Sequence, residues 1–431
     1  MKQTGKLHIE IPAEVTQILE TLHAHGYEAY VVGGCVRDAL LCRVPGDWDI
    51  TTSALPQQVK ALFPHTVDTG IRHGTVMVLK NGEGYEVTTY RIDGVYEDGR
   101  HPKNVTFTRS LEEDLKRRDF TINAFAWGQE GLIDLFHGLD DLNSGVIRCV
   151  GDPDQRFQED ALRIMRAVRF SAQLGFSIEE QTGQMIRKHG PRLKDVSMER
   201  IRVEWEKTLI SDHPVYVNEY KKYGLAQAII RPGSDACFTE KQDALLLELN
   251  NRRKQGADDT GFYRRLMMAA FFRGLTPEET DQAMRYLKYD NRTREAVVKI
   301  IRYQHADMEP DRVQIKLQMN RMGEETWRAV LELKDADACS RSDRDPDPAS
   351  GRKQELDRVR SLTADILKKE EPFLVSQLAV NGSDLIKAGF PAGKKLGEIL
   401  ENILQKVIQS PTLNRKELLC DYAVQNFKKG R

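Results

Sequence analysis

The sequence predicts an α+β chain, a small mixed α/β head followed by an elongated all-helical remainder. Three observations predict it. Strand and helix signals alternate through about the first 150 residues. Strand signals almost vanish from Asp154 onward, and the later apolar residues recur at helical spacing.

Val15–His25 reads as an amphipathic helix, with Val15, Ile18, Leu19 and Leu22 on one face. Ala29–Val32 is a short strand running into Gly33-Gly34. Cys35–Leu41 has helical spacing, and Trp48–Thr51 reads as a strand. His73–Lys80 and Tyr85–Arg91 flank Asn81-Gly82, a strong hairpin signal. Further on, Phe157–Leu174, Glu179–His189 and Ser197–Leu209 are expected as helices. Ser340–Gly351 is polar, holds two prolines and reads as a linker. Arg352–Lys369, Asp384–Ala388 and Leu396–Ile408 are again helical, and no internal repeat or low-complexity tract interrupts the pattern.

The chain has 431 residues, room for about two to four domains. It is 40% hydrophobic and 30% charged, which excludes a disordered chain. No apolar run approaches the roughly 18 residues of a membrane span, and the N-terminus lacks the apolar core of a signal peptide. The six cysteines form no C-x-x-C pair, so neither a disulfide scaffold nor a thiolate zinc site is expected. A soluble cytoplasmic protein follows as the expectation. Lys plus Arg is 64 and Asp plus Glu is 65, yet residues 1–150 are acidic (15 basic, 21 acidic) and residues 351–431 basic (15 basic, 10 acidic). An acidic front suits a divalent cation and a basic rear a polyanion, although ordinary scatter produces such imbalances too.

The chemistry-bearing residues begin at the strand end. A strand passing through Gly33-Gly34 into a helix exposes backbone N–H groups to a phosphate, and Arg37 lies one turn further on. A plain strand–helix turn has the same pattern, and no Walker loop is present. Asp47 and Asp49 are two apart, so on a strand their carboxylates project together. Such a pair repels unless a cation lies between, and Mg²⁺ often takes one or two carboxylates plus substrate phosphates. Glu86 is a third acid on a nearby strand, equally readable as solvated. On a continuous helix from Glu159, Asp160, Arg163, Arg166 and Arg169 would occupy the side opposite Ala161, Ile164, Met165 and Val168.

Taken together, Gly33-Gly34-x-Val36-Arg37-Asp38 and Asp47-x-Asp49 resemble the head of the polymerase-β-type nucleotidyltransferases. More closely, the chain resembles the class II tRNA nucleotidyltransferases, the CCA-adding enzymes of the Gram-positive type, and their relatives the bacterial poly(A) polymerases. Four further segments agree in order: Arg117–Ala124, Asp134–Leu142 (with His137 a less usual residue), Glu159–Phe170, and Val196–Ile201 with Glu204. The likeness is strong from about Tyr30 to Leu209 and weaker at Leu378–Leu419. Several ordered motifs are far more specific than any one of them.

The resemblance implies a small mixed-sheet nucleotidyltransferase head followed by an elongated all-α neck, body and tail, divided as 1–148, 149–212, 213–340 and 341–431. It implies Asp47 and Asp49 as the catalytic, Mg²⁺-binding acids. It implies a nucleotide site made of Gly34, Arg37, Arg118, Asp119, Asp160, Arg163, Arg166 and Arg169. There Asp160 and Arg163 read the base edge, Arg166 and Arg169 hold the triphosphate, and Asp119 takes the ribose hydroxyl. The implied partners are CTP, ATP and the acceptor stem and 3′ end of tRNA, with no membrane. The segment DGVYEDGRHPKN between Ile92 and Val105 corresponds to a loop that CC-only relatives lack. The implied activity is template-free addition of the 3′-terminal CCA. A poly(A) polymerase, an A-adding enzyme and a non-catalytic RNA-binding protein are the alternatives, and the sequence leaves oligomeric state open.

Overall fold

In a computed structural model, residues 8–94, 105–230, 234–255, 260–342 and 346–428 are described. Helix α1 (Ala13–Ala24) buries Val15, Ile18, Leu19 and Leu22 and packs on strand β1 (Ala29–Val32). Helix α2 (Gly34–Leu40) follows β1 directly, and α3 (Pro56–Leu62) follows β2 (Ile50–Thr52). The sheet is completed by β3 (Thr66–Gly70), β4 (Thr75–Lys80) and β5 (Glu83–Thr89). A separate pair, β6 (Arg91–Asp93) and β7 (Val105–Phe107), precedes β8 (Phe125–Gly128) and β9 (Gly131–Asp134). The order is β3-β4-β5-β2-β1-β8-β9. Only the β2–β5 ladder is parallel, with Ile50 opposite Val87, so the sheet is mixed.

The hairpin at Asn81-Gly82 forms as expected. Lys80 faces Glu83, and Asn81 (φ 52°) and Gly82 (φ 86°) supply the two left-handed residues of a tight turn that matches strand twist. The segment at 95–104, within the loop expected between Ile92 and Val105, lies outside the described residues.

Helix α4 (Leu111–Lys116) is capped by Ser110, whose hydroxyl accepts from the Glu113 N–H. Beyond the sheet come α5 (Gly138–Ser144), α6 (Pro153–Glu159) and α7 (Leu162–Leu174). Then follow α8 (Glu180–His189), α9 (Met198–Leu209), α10 (Asn218–Lys222) and α11 (Ala226–Ile229). The single helix expected over Phe157–Leu174 is therefore two. The chain is extended at Asp160 (φ −137°, ψ 106°), where the carboxylate accepts the Leu162 N–H at 2.9 Å and restarts the helix. Periodicity missed the break because apolar spacing continues across it.

The Asp134 segment is also structural. Asp134 accepts the N–H groups of Gly138 (2.8 Å) and Leu139 (2.9 Å) and so starts α5. A Cβ at Gly138 would lie 2.3 Å from the Thr121 carbonyl oxygen, so only glycine fits. His137 stands at φ 57°, ψ 31°, a left-handed conformation, with its side chain solvated.

From residue 234 the described chain is helical: α12 (Glu240–Lys254), α13 (Thr260–Phe271), α14 (Pro277–Tyr286), α15 (Asn291–Tyr303), α16 (Arg312–Met322), α17 (Glu324–Ser342) and α18 (Pro346–Lys368). Of the linker expected at Ser340–Gly351, residues 343–345 lie outside the described residues, and the rest is helical rather than extended. Helix α17 runs to Ser342 and α18 starts at Pro346, where proline suits a first helical turn. The two helices pack on each other, and this tertiary contact overrides the polar composition. Arg252 pairs with Glu332 and Asp335 at 2.8 Å each, and Arg360 reaches Asp335 at 2.7 Å. The chain ends in α19 (Gly382–Lys387), α20 (Lys394–Gln409) and α21 (Lys416–Phe427) around Leu385, Ile403, Val407 and Leu419.

By contacts the chain forms two compact units, Met1–Pro232 with Tyr286–Lys288, and Gly233–Arg285 with Tyr289–Arg431. All six cysteines are free thiols. Among the described residues no helix is long and apolar enough to cross a membrane.

The His137 conformation yields a direct test. A non-glycine residue in the left-handed region costs about 1–2 kcal/mol, partly offset by glycine's greater unfolded-state entropy of about 0.5–1 kcal/mol. His137→Gly is expected to stabilise the protein by about 0.5–1 kcal/mol in denaturant titration, without loss of helix content by circular dichroism.

Candidate active site

The site is built where β1 ends. The Val32 N–H donates to the Asp49 carbonyl (2.9 Å), while the next N–H, of Gly33, donates to the Phe125 carbonyl (3.1 Å). One strand end thus ties β2 and β8 together. Gly33 has φ 83°, and a Cβ there would stand 2.7 Å from Nη1 of Arg118. Glycine is needed both for the backbone and for this approach.

Arg118 therefore lies over the glycine turn. Its Nε is buried without a hydrogen-bond partner, and its Nη2 is 3.8 Å from Asp114 Oδ2. Burial lowers its pKa. Asp114 is fully buried and committed elsewhere: it accepts from Arg117 Nε (3.0 Å) and Nη2 (2.8 Å) and from Thr51 Oγ1 (3.1 Å). A guanidinium with an unmet donor beside a glycine turn is a natural anion ligand.

Asp47 and Asp49 sit just before β2 rather than inside it. Asp49 is half-buried and still aligned with Val32, and Asp47 is exposed. The β2–β5 register places Glu86 on the strand next to Asp49. Burial, then the charge of Asp47, push the Asp49 carboxyl up to about 6. Arg118 opposes the rise and Glu86 adds to it. Among the described residues no three His, Cys, Asp or Glu side chains converge into a metal cage. Carboxylates crowded so that Asp49 gains affinity for a proton form a donor set suited to a divalent cation that draws its remaining ligands from substrate.

The structure redistributes the arginines. Arg37 is buried and bonded to Asp38 Oδ1 through Nε (2.9 Å) and Nη2 (2.8 Å), with Nη1 on Asn123 Oδ1. Arg163 does not pair with Asp160. Its Nη1 meets Glu159 Oε2 (2.7 Å) and the Arg156 carbonyl (3.2 Å), and its Nη2 meets the Arg117 carbonyl (2.8 Å). Asp160, displaced by the helix break, instead accepts from Arg200 Nη2 of α9 at 3.0 Å. The arginines do not form one open face opposite the apolar stripe. Arg163 and Arg169 are buried, and Arg169 is bonded to Glu204 and to Gln173 Oε1 (2.8 Å). Arg166 is half-buried and grips Asp119 Oδ2 through Nε (2.7 Å) and Nη2 (2.6 Å).

Asp119 is engaged on both oxygens, since Oδ1 accepts from the Phe120 N–H (2.9 Å) and Asn123 Nδ2 (3.2 Å). Burial alone would raise its pKa, but Arg166 and Arg163 hold it down to about 2. Arg166 responds in kind. Against the cost of burial, Asp119 and Glu204 raise its pKa.

Phe170 gathers three of these cations. The guanidinium carbons of Arg169, Arg37 and Arg166 stand 3.9, 5.0 and 5.2 Å from its ring centre, within cation–π range. Sequence reasoning named Phe170 and Asn123 only as motif letters and gave Glu159 and Arg200 no partner. Their spacing to the side chains they meet, from one residue (Phe170 to Arg169) to 86 (Asn123 to Arg37), carries no periodic signal.

Residues 29–148 match the family described as "Poly A polymerase head domain" and residues 266–423 that described as "tRNA nucleotidyltransferase domain 2". Residues 175–237 match "Probable RNA and SrmB- binding site of polymerase A". The CCA-adding enzyme of Lactiplantibacillus plantarum is 58% identical over 210 residues, 48% of this chain and about half (52%) of that one. The CCA-adding enzyme of Lactobacillus helveticus is 39% identical over 407 residues, 94% of this chain and 95% of that one. The crystal structure of the Bacillus stearothermophilus CCA-adding enzyme in complex with CTP superposes with a TM-score of 0.77 at 34% identity, covering 96% of this chain and 97% of that one. With a full-length relative at that identity and a matching fold from head to tail, the chain belongs to the family of CCA-adding enzymes, the tRNA nucleotidyltransferases.

Proposed function

We propose that this chain builds and repairs the 3′-terminal CCA of tRNA from CTP and ATP, without a nucleic-acid template. The observation that carries the reading is the meeting, at the end of β1, of an open-donor arginine over a glycine turn with a crowded pair of carboxylates. One half of that arrangement suits a triphosphate, the other the metal that accompanies it. We assign 1–148 to the catalytic head, 149–212 to the neck, 213–340 to the body and 341–431 to the tail.

Asp47 and Asp49 would hold Mg²⁺, which when bound supplies activation of the RNA 3′ hydroxyl and charge stabilisation of the departing diphosphate. Arg118 and the Gly33-Gly34 backbone bind the triphosphate in line with the acids. Arg166 adds charge from the α7 side while orienting Asp119 toward the ribose. Asp160 and Arg163 read the base. Of the five N–H groups of a guanidinium, three in Arg163 are engaged within the protein, which leaves two for a base edge. Cytosine and adenine each present one donor beside an acceptor, complementary to an aspartate oxygen next to a guanidinium. The decisive experiment offers tRNA ending before CCA, tRNA ending at CC, and an unrelated RNA, each with the four nucleotides singly. CTP should enter the first, ATP the second, and neither the third.

Asp47→Ala and Asp49→Ala are each expected to reduce incorporation of CTP and ATP to near background while tRNA binding, read by gel shift, stays within a few-fold of wild type. Retention of rates within a few-fold would remove these acids from the chemistry.

Asp160→Ala should cost discrimination against UTP and GTP about ten- to 150-fold, the worth of one charge-assisted hydrogen bond at about 1.5–3 kcal/mol. It should also cost about 1 kcal/mol of stability, because the Leu162 N–H loses its acceptor. Competition among the four nucleotides checks the first effect and denaturant titration the second. Unchanged selectivity in the folded variant would leave Asp160 with its capping role alone.

Asp119 sets an acid limit. Its folded pKa, about 2, lies below the ordinary value of 3.8. The stability it contributes is present above about pH 4 and is lost as pH falls toward about 2. Asp119→Asn should therefore narrow the stability gap to wild type progressively over that window, measured by thermal melting between pH 6 and 2.5. A gap independent of pH would mean that the fold leaves the Asp119 carboxyl at its ordinary pKa.

A further inference from the structure

Asp114, in the last turn of α4, is a fully buried carboxylate outside the nucleotide and metal ligands. A carboxylate withdrawn from water is costly unless its oxygens are satisfied. Its partners come from three places. Oδ1 accepts from Arg117, through Nε (3.0 Å) and Nη2 (2.8 Å), and from the Arg91 N–H (3.3 Å) at the start of β6. Oδ2 accepts from Thr51 Oγ1 of β2 at 3.1 Å, a hydroxyl that also lies 3.2 Å from the Thr88 carbonyl of β5. Burial would raise the pKa of Asp114, but Arg117 and Arg118 hold it below the ordinary carboxylate value, so it is an anion at neutral pH.

Arg118 stands in a different relation to it. Its Nη2 is 3.8 Å from Asp114 Oδ2, too far for a hydrogen bond and near enough for strong attraction. Against the cost of burial, Asp114 is the acid that most favours the charged guanidinium, ahead of Asp49 and Asp119. Asp114 therefore holds Arg118 by charge without taking its hydrogen bonds, and the buried Nε keeps its donor unmet.

The same carboxylate is tied to the strand of the acids. Thr51 comes two residues after Asp49, so along an extended chain the two side chains share a face. One anion thus bonds to the strand that Asp49 leads into and faces the guanidinium over the glycine turn. An amide of the same shape would have no charge and would direct N–H donors where one oxygen had offered lone pairs. Arg118 would then be drawn toward the acids that remain, Asp49 and Asp119.

Resting on the reading of Asp47, Asp49 and Arg118 as the metal- and triphosphate-binding groups, we propose that Asp114 is a positioning residue that sets the Arg118 guanidinium at a fixed offset from Asp49. It touches neither nucleotide nor RNA. It serves CTP and ATP alike, because the triphosphate is common to both.

The test uses the full chain carrying Asp114→Asn. Binding of CTP is measured by calorimetry in EDTA, and KM and kcat for CTP and ATP are measured with Mg²⁺ on tRNA lacking CCA and on tRNA ending at CC. Without metal, CTP should bind at least about ten-fold more weakly, the effect of a lost contact to a charged group. The KM values for CTP and ATP should rise by factors that agree within two-fold. Preference for CTP over UTP and the Kd for tRNA should stay within two-fold of wild type. Arg118→Gln should show the same loss, and adding Asp114→Asn to it should cost less than two-fold more, because the two residues act as a unit. A carboxylate that only stabilised the fold would give losses that multiply in the double variant. That outcome would overturn the proposal, as would CTP affinity within two-fold of wild type in a folded Asp114→Asn protein. Should Asp114→Asn fail to fold, Thr51→Val removes the tie to β2 and keeps the charge. It should lower kcat for both nucleotides by about three- to ten-fold, the worth of one hydrogen bond, and Thr51→Ser should restore it. An unchanged kcat in Thr51→Val would likewise overturn the proposal. Incorporation of CTP and ATP by the wild-type chain tests the CCA-adding reading, and the ratios of variant to wild type test Asp114 alone.

Discussion

The ion pair between Asp119 and Arg166, 2.6–2.7 Å long and largely withdrawn from water, is the contact on which the site depends. It joins the segment after α4, which carries Arg118 over the glycine turn, to the helix that carries the remaining arginines. Forty-seven residues separate the partners. Such a pair adds little net stability compared with an apolar replacement, because both charges must shed water. Losing one partner alone costs about 3–5 kcal/mol. Its value is positional. Asp119 Oδ1 is fixed by the Phe120 N–H and Asn123, so Arg166 has one place to go, and α7 is registered against the end of the sheet by a charge.

The same logic extends outward. Asn123 bridges Asp119 and Arg37, and Glu204 on α9 takes Arg169. Arg200, one turn earlier on α9, takes Asp160. Phe170 supplies what no carboxylate can, a neutral surface against which three guanidinium groups stand within about 5 Å without neutralising one another. Their positions are thereby fixed before any ligand arrives, which is preorganisation in electrostatic terms.

Much of this architecture was legible in the sequence because it rests on local rules. The alternation around Asn81-Gly82, the apolar face of α1 and the strand–glycine–helix passage at Gly33 each formed at or within a few residues of the expected place. The acid pair was legible as spacing, and the structure added what spacing cannot hold: its position just outside β2, and Glu86 on the neighbouring strand. Two readings failed for one reason. The helical wheel through Asp160 and the linker at Ser340–Gly351 both used composition to infer backbone, and in both a specific contact decided otherwise. Asp160 found a nearer N–H to accept, and α18 found α17 to pack on. Asp114 had no signal at all, because its importance lies in two long-range partners, Thr51 and Arg91, and none of its neighbours in sequence announces burial.

The supply of counter-charge around α7 has a thermodynamic consequence. Asp114 serves both Arg117 and Arg118, and Glu159 serves both Arg156 and Arg163, so each of these carboxylates holds two guanidinium groups close together. The folded state carries a self-repulsion that the unfolded chain, with its charges dispersed in water, does not. Any polyanion that binds only the native arrangement repays that deficit. At a concentration one hundred times its dissociation constant, such a ligand adds about 2.7 kcal/mol to the folding equilibrium. The fold's resistance to heat and proteolysis then rises with the concentration of any polyanion that binds it in this way.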